Sequence, residues 1–127
     1  IPTLIKSISA NDTPNINTPM NKNDFIYVED VARAFAKAVD ADLLSGVYNL
    51  GSGHATSVYE ICRIVEKILL DNKMISKQVL DNGHTNETVN FWADMKKTES
   101  ALNMTCNISL ENGIRQHIES MQLETVL

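Results

Sequence analysis

An α/β chain is the expectation, and three features carry it. A β-branched and aromatic run at residues 25–28, FIYV, leads straight into a helical repeat. A second apolar run at residues 47–51, VYNLG, ends at a glycine turn and is followed by another helix. That second helix opens on Ser57 with Glu60 three residues later, the spacing of a capping box. Alternating strand and helix is the pattern of α/β packing.

The elements follow in order. Residues 1–10, IPTLIKSISA, read as a helix, because Pro2 suits a first turn and Leu4, Ile5 and Ile8 share a face. Two prolines and many Asn make residues 11–24 a loop, with room for a short strand near residues 15–17. After the strand at 25–28, Val31, Ala34, Phe35, Ala38 and Val39 recur at helical spacing, with Asp30 as the expected cap. Ser45 and Gly46 break that helix. The next one carries Val58, Ile61, Cys62, Val65, Ile68 and Leu69 as one apolar stripe. Residues 75–80 are expected as a strand, 81–88 as a loop, and 88–94, TVNFWAD, as an extended segment. Asp94 should cap a short helix and Ser109 a last one, in which Leu110, Ile114, Ile118 and Met121 face one way. Residues 123–127 are expected to fray.

Composition narrows the function classes. The 127 residues are 43% hydrophobic and carry a net charge of -5, enough for one core and too acidic for a broad nucleic-acid surface. No apolar run nears the roughly 20 residues that cross a bilayer, and no signal peptide is visible, so a cytoplasmic protein without a membrane partner is expected. Cys62 lies in the apolar stripe and Cys106 in a polar stretch, and both read as reduced thiols. The Asn-x-Ser/Thr triplets at Asn11, Asn86, Asn103 and Asn107 read as chance matches in an Asn-rich chain.

Chemical motifs are sparse. Gly51, Ser52 and Gly53 stand between a strand and a helix, yet GSGHATS lacks a third glycine and a P-loop lysine, so a tight turn is the reading. His54, His84 and His117 are scattered, and no metal site is expected. No nucleophile, base and orienting group stand close in sequence, and no catalytic residue is assigned. Three or four short strands, two of them apolar enough to need cover on both faces, leave the sheet thin. The start at Ile1 rather than Met, already in a helical pattern, gives the expectation of a piece of something longer.

Five blocks in order, DFIYVEDVARAFAKAV, GVYNLGSG, TSVYEICRIVEKIL, FWADMKKTESALN and SLENGIRQHI, resemble the C-terminal half of the NAD-dependent epimerase/dehydratase family. These are the extended short-chain dehydrogenase/reductases that act on nucleotide sugars. The resemblance implies part of a Rossmann sheet plus a small substrate-binding α/β lobe over residues 1–122. It also implies NAD or NADP in the full-length protein, held by an N-terminal Rossmann domain absent here, so that this chain alone binds no cofactor. The family's Tyr-x-x-x-Lys pair has no match, since Tyr27, Tyr48 and Tyr59 are followed at that spacing by Val31, Ser52 and Arg63.

The resemblance also implies substrate contacts. Family members commonly place an Arg on the substrate diphosphate just before the Asp-Phe pair, and here that position is Asn23, with Lys22 beside it. A second Arg usually precedes the segment ending in Ala-Asp, and counting back nine residues from Ala93 reaches His84. Lys22 can offer a point charge and His84 one when protonated, but neither has the bidentate fork of Arg. Lys22, Asn23 and His84 are therefore the expected substrate-binding residues. FWAD is similar to the aromatic pair of UDP-glucose 4-epimerases, with Phe91 and Trp92 expected to pack under the small lobe, and Phe25 and Tyr27 in the sheet core. The expected function is the substrate-binding part of a nucleotide-sugar epimerase or dehydratase, not catalytic alone. The alternative is a diverged, non-catalytic binding or regulatory module of the same fold. Apolar strands without neighbours give the further expectation of self-association or a homodimer.

Overall fold

A computed structural model describes residues 1–80 and 89–125, with only the helical backbone for 122–125. Its elements are α1 (Pro2–Ser9), β1 (Lys22–Asp24), α2 (Val28–Asp40), β2 (Ala55–Ser57), α3 (Val58–Asp71), α4 (Lys96–Leu102) and α5 (Leu110–Thr125).

The core is built around α3. Its stripe of Ile61, Cys62, Val65, Ile68 and Leu69 is buried, with Ile5 and Ile8 of α1 against it and Ile114 and Ile118 of α5 completing the cluster. The predicted capping box forms: the Glu60 amide donates to Ser57 Oγ at 3.1 Å, and the Ser57 amide donates to Glu60 Oε2 at 2.7 Å. Ser109 likewise caps α5, accepting the Asn112 amide at 3.2 Å. Asp94 accepts the Lys96 amide at 3.1 Å, but α4 has Met95 at its N-cap, so Asp94 stands one position ahead of the expected cap. The last helix runs on through Thr125, into the residues expected to fray.

A smaller cluster packs α2 on α4, with Ala34, Leu102 and Met104 buried and Ala38, Leu43 and Leu50 beside them. The helix starts at Val28 with Tyr27 at the N-cap, so Asp30 is not its cap. Instead Asp30 is fully buried, accepts the amides of Asn107 and Ile108 at 3.3 and 3.1 Å, and pairs with Arg33. A buried carboxylate must be matched in this way, and the bare backbone at 107–108 supplies the donors.

The strands depart most from expectation. Among the described residues the sheet has two strands, β1 antiparallel to β2, with Lys22 opposite Ser57, Asn23 opposite Thr56 and Asp24 opposite Ala55. No strand is assigned at residues 15–17, 25–28, 47–51 or 75–80. A ladder needs a second segment to share its hydrogen bonds, and the segment alongside, 55–57, meets polar 22–24 rather than apolar 25–28. At 75–80 a side chain replaces the ladder: Glu66, buried on α3, accepts the amides of Val79 and Leu80 at 2.6 and 2.8 Å. Of the extended segment expected at 88–94, the described residues 89–94 carry a parallel bridge between Asn90 and Lys22, while the loop expected at 81–88 lies outside the described residues.

Candidate functional site

Two of the three predicted substrate residues stand next to each other on β1. Side chains alternate along a strand, so Lys22 and Asp24 share one face and Asn23 takes the other. His84 lies outside the described residues.

On its face Asn23 has two lateral neighbours. The antiparallel register sets Thr56 beside it. On the other flank the Lys22 amide donates to the Val89 carbonyl and the Phe91 amide donates to the Lys22 carbonyl, both at 3.0 Å, a parallel register that brings Phe91 level with Asn23. A row of hydroxyl, amide and aromatic ring results, with Asn23 exposed and Phe91 67% exposed. Phe91 and Trp92 thus do not pack under the lobe. A cleft of about 380 Å³ adjoins the row at Thr56 and is lined in part by His54, Ser52, Asn107 and Ser109.

Lys22 faces the start of α3. The Glu60 carboxyl there is held below its ordinary range, first by the Ser57 amide, against the opposing effect of burial, with the Ser57 hydroxyl and the Lys22 charge adding to the same direction. The one cation of β1 is therefore shared with the cap of α3.

Asp24 has the densest set of contacts. Its Oδ1 accepts the Ser52 amide at 2.7 Å and the Ser52 hydroxyl at 2.6 Å; its Oδ2 accepts the Gly53 amide at 3.0 Å and the Ala93 amide at 3.1 Å. Burial alone would push this carboxyl up, but the Ser52 hydroxyl and the three amides outweigh it and hold it below its ordinary range. The glycine turn is therefore the tight turn expected from sequence: the Ser52 and Gly53 amides, which could have met a phosphate, face a carboxylate. Gly53 adopts a φ of 77°, open to glycine at little cost.

Both cysteines sit where burial disfavours the thiolate. Burial pushes the Cys62 thiol up to about 11, and Cys106, also raised by burial, lies 3.1 Å from the Gly51 carbonyl. Among the described residues no three His, Cys, Asp or Glu side chains are grouped to hold a metal ion, and no helix is long and apolar enough to cross a membrane.

Phe35 and Val39 of α2 are 68% and 85% exposed and share a helix face with exposed Val28, and Leu44 and Val47 beyond the helix are exposed as well. Val28 also borders a groove of about 450 Å³ lined by Phe25, Ile26, Tyr27, Ile114 and His117. Phe25 and Tyr27 are half-buried there but belong to no sheet.

Sequence reasoning missed Asp24, Thr56 and the exposed position of Phe91. No local signal marks Asp24, whose partners stand 28, 29 and 69 positions away. The alternation of 22–24 with a polar partner strand was the available clue for Thr56.

No family model matches the chain. A dTDP-4-dehydro-6-deoxyglucose reductase of Escherichia coli is 28% identical over 124 residues, 96% of this chain and 38% of that protein. A UDP-glucuronate 4-epimerase of Thermodesulfobacterium geofontis is 30% identical over 96 residues, 75% of this chain and 28% of that protein. The fold is similar to that of the Bordetella bronchiseptica enzyme WbmF in complex with NADH, with a TM-score of 0.80 and 24% identity over 98% of this chain and 37% of that one. The chain spans well under half of each of these proteins.

Proposed function

We propose that the chain is the substrate-side portion of a nucleotide-sugar enzyme of the NAD-dependent epimerase/dehydratase kind, the extended short-chain dehydrogenase/reductases, because relatives of that kind match three quarters or more of this chain and the smaller part of their own length. In this reading residues 1–122 hold the sugar nucleotide, and a separate Rossmann lobe holds NAD or NADP and carries the proton-transfer residues.

The observation that carries the reading is the row of Thr56, Asn23 and Phe91. A sugar ring presents hydroxyls at its edge and C–H bonds on its faces. Asn and Thr side chains both donate and accept, and an exposed ring offers an apolar face. Lys22 lies on the other side of β1 and His84 is the remaining candidate for the diphosphate.

The glycine turn at 51–53 does not fit the pyrophosphate of the cofactor. Among the described residues, the glycine turn at 51–53 has its Ser52 and Gly53 amides on Asp24, and a pyrophosphate there would meet a negative carboxylate. No chemical step is assigned to this chain. Its part is to bind and orient the sugar, in a cytoplasmic setting that its two free thiols suit.

A neutral Asn23 and a Lys22 shared with Glu60 favour a second reading, in which the same fold is a diverged binding or regulatory module. The longer reading frame separates the two. Under the first it encodes a G-x-x-G-x-x-G turn and a Tyr-x-x-x-Lys pair, and its protein converts UDP-glucose or a related sugar nucleotide. A frame with neither motif overturns the catalytic part. The same reading leaves the outward side of α2 bare in the isolated chain, which is then expected to self-associate.

A further inference from the structure

We propose that Asp24 is the positioning residue of the sugar-binding row: its carboxylate gathers β1, the turn at 51–53 and the segment at 91–93 into one unit and so sets Phe91 beside Asn23. The inference rests on the reading of that row as the sugar site and names the residue that assembles it.

The geometry is specific. A carboxylate has about four lone-pair sites, and all of those on Asp24 are filled, by the Ser52 amide, the Ser52 hydroxyl, the Gly53 amide and the Ala93 amide. Alternation along β1 turns Asp24 away from the face that carries Asn23, so it touches no ligand and acts through its neighbours. The turn is shaped to receive it. Gly51 is buried, and a Cβ there would run into the Asp24 carboxylate and stand 2.8 Å from the Ala93 Cβ. On its other side the turn is held by Met95, whose sulfur takes the Gly51 amide, and by Cys106, which donates to the Gly51 carbonyl.

Beside the Asp24–Ala93 bond, the segment is described meeting β1 through the two backbone bonds of Lys22, at an isolated bridge rather than a ladder. Releasing the Ala93 amide would free the residues just beyond Phe91 and let its ring leave the row.

Glu66 supplies the control. It too is a carboxylate that receives two backbone amides, those of Val79 and Leu80, but it sits on α3, away from β1. Amide hydrogen exchange followed by NMR on the 127-residue chain, with UDP-glucose as the probe, compares Asp24→Ala, Asp24→Asn and Glu66→Gln.

With Asp24→Ala the amides of Phe91 and Ala93 should exchange about tenfold faster relative to those of α3, and the response of Asn23 and Phe91 to UDP-glucose should weaken by about as much. Asp24→Asn keeps an oxygen for Ser52 but presents an NH2 group to Gly53 and Ala93, so it should loosen Ala93 and leave Ser52 protected, a milder variant should the alanine fail to fold. Glu66→Gln should loosen Val79 and Leu80 and leave the UDP-glucose response unchanged. Unchanged protection at Phe91 and Ala93, or loss in step with α3 in both Asp24 variants, would overturn the proposal. A wild-type chain blind to UDP-glucose, with local loosening still produced by Asp24→Asn, would remove the sugar reading and leave the positioning role standing.

Discussion

The α1–α3–α5 core and the α2 side of the molecule start from the same kind of sequence and end differently. In the core, the apolar stripe of α3 meets Ile5 and Ile8 on α1 and Ile114 and Ile118 on α5, and all of these are buried. On α2, Ala34 is covered by Leu102 and Met104, while Phe35 and Val39, one position further round in each turn, face outward. Periodicity fixes where an apolar face lies. It says nothing about whether the covering surface belongs to the same 127 residues.

The largest effect expected from this contrast is in the core. Ile68→Ala removes a fully buried side chain from the middle of α3 and should cost about 2–5 kcal/mol in chemical denaturation, because the surrounding helices can only partly close the cavity. A cost below about 1 kcal/mol would mean the core is loosely packed and the contrast is weaker than drawn.

The two ends of the pH scale should probe different places. Asp24 on β1 and Glu60 in the first turn of α3 have carboxyls held below their ordinary values of 3.8 and 4.5. A depressed folded-state pKa contributes stability that is complete above the ordinary value and is lost as pH falls through the folded one, so acid should loosen the turn at 51–53 and the α3 cap below about pH 4. Cys62 has the opposite sign. Its raised pKa contributes stability fully present below 9.0 and lost as pH rises toward about 11, so alkali reaches the middle of α3. Exchange at Gly53 and Ala93 against pH, with thiol labelling of Cys62 at alkaline pH, checks both. Early labelling of Cys62 near neutral pH would contradict its burial.

How legible each region was follows from the range of its contacts. Ser57 and Glu60 cap α3 over three residues, and the stripe from Ile61 to Leu69 repeats within one helix, so both could be read directly. The strands could not. FIYV has the residues of a strand, but pairing depends on which segment runs alongside, and 55–57 runs beside the polar 22–24. Asp30 misled for a related reason: its position fits a cap, yet its carboxylate goes to amides 77 and 78 positions away. At the site, Asn23 and Lys22 came from family resemblance, whereas Thr56 and Phe91 required the register of three segments, and no spacing in the chain encodes that register.

The smallest expected change in stability is also the sharpest test of the α2 side. Phe35→Ser replaces a ring that is 68% exposed, so the fold should shift by no more than about 0.5 kcal/mol, against several for Ile68→Ala. Its effect on association should be plain. Phe35 sits between Val28 and Val39 on an outward apolar strip of α2, and such strips on a free chain gather together in water. Sedimentation of the unsubstituted chain should show mass rising with concentration through the micromolar range, and Phe35→Ser should move the weight average toward the monomer. A sharp monomer for both chains would show that the strip is too small to associate. A large loss of stability in Phe35→Ser would show instead that the ring is covered within the chain, and the contrast between the two regions would have to be redrawn.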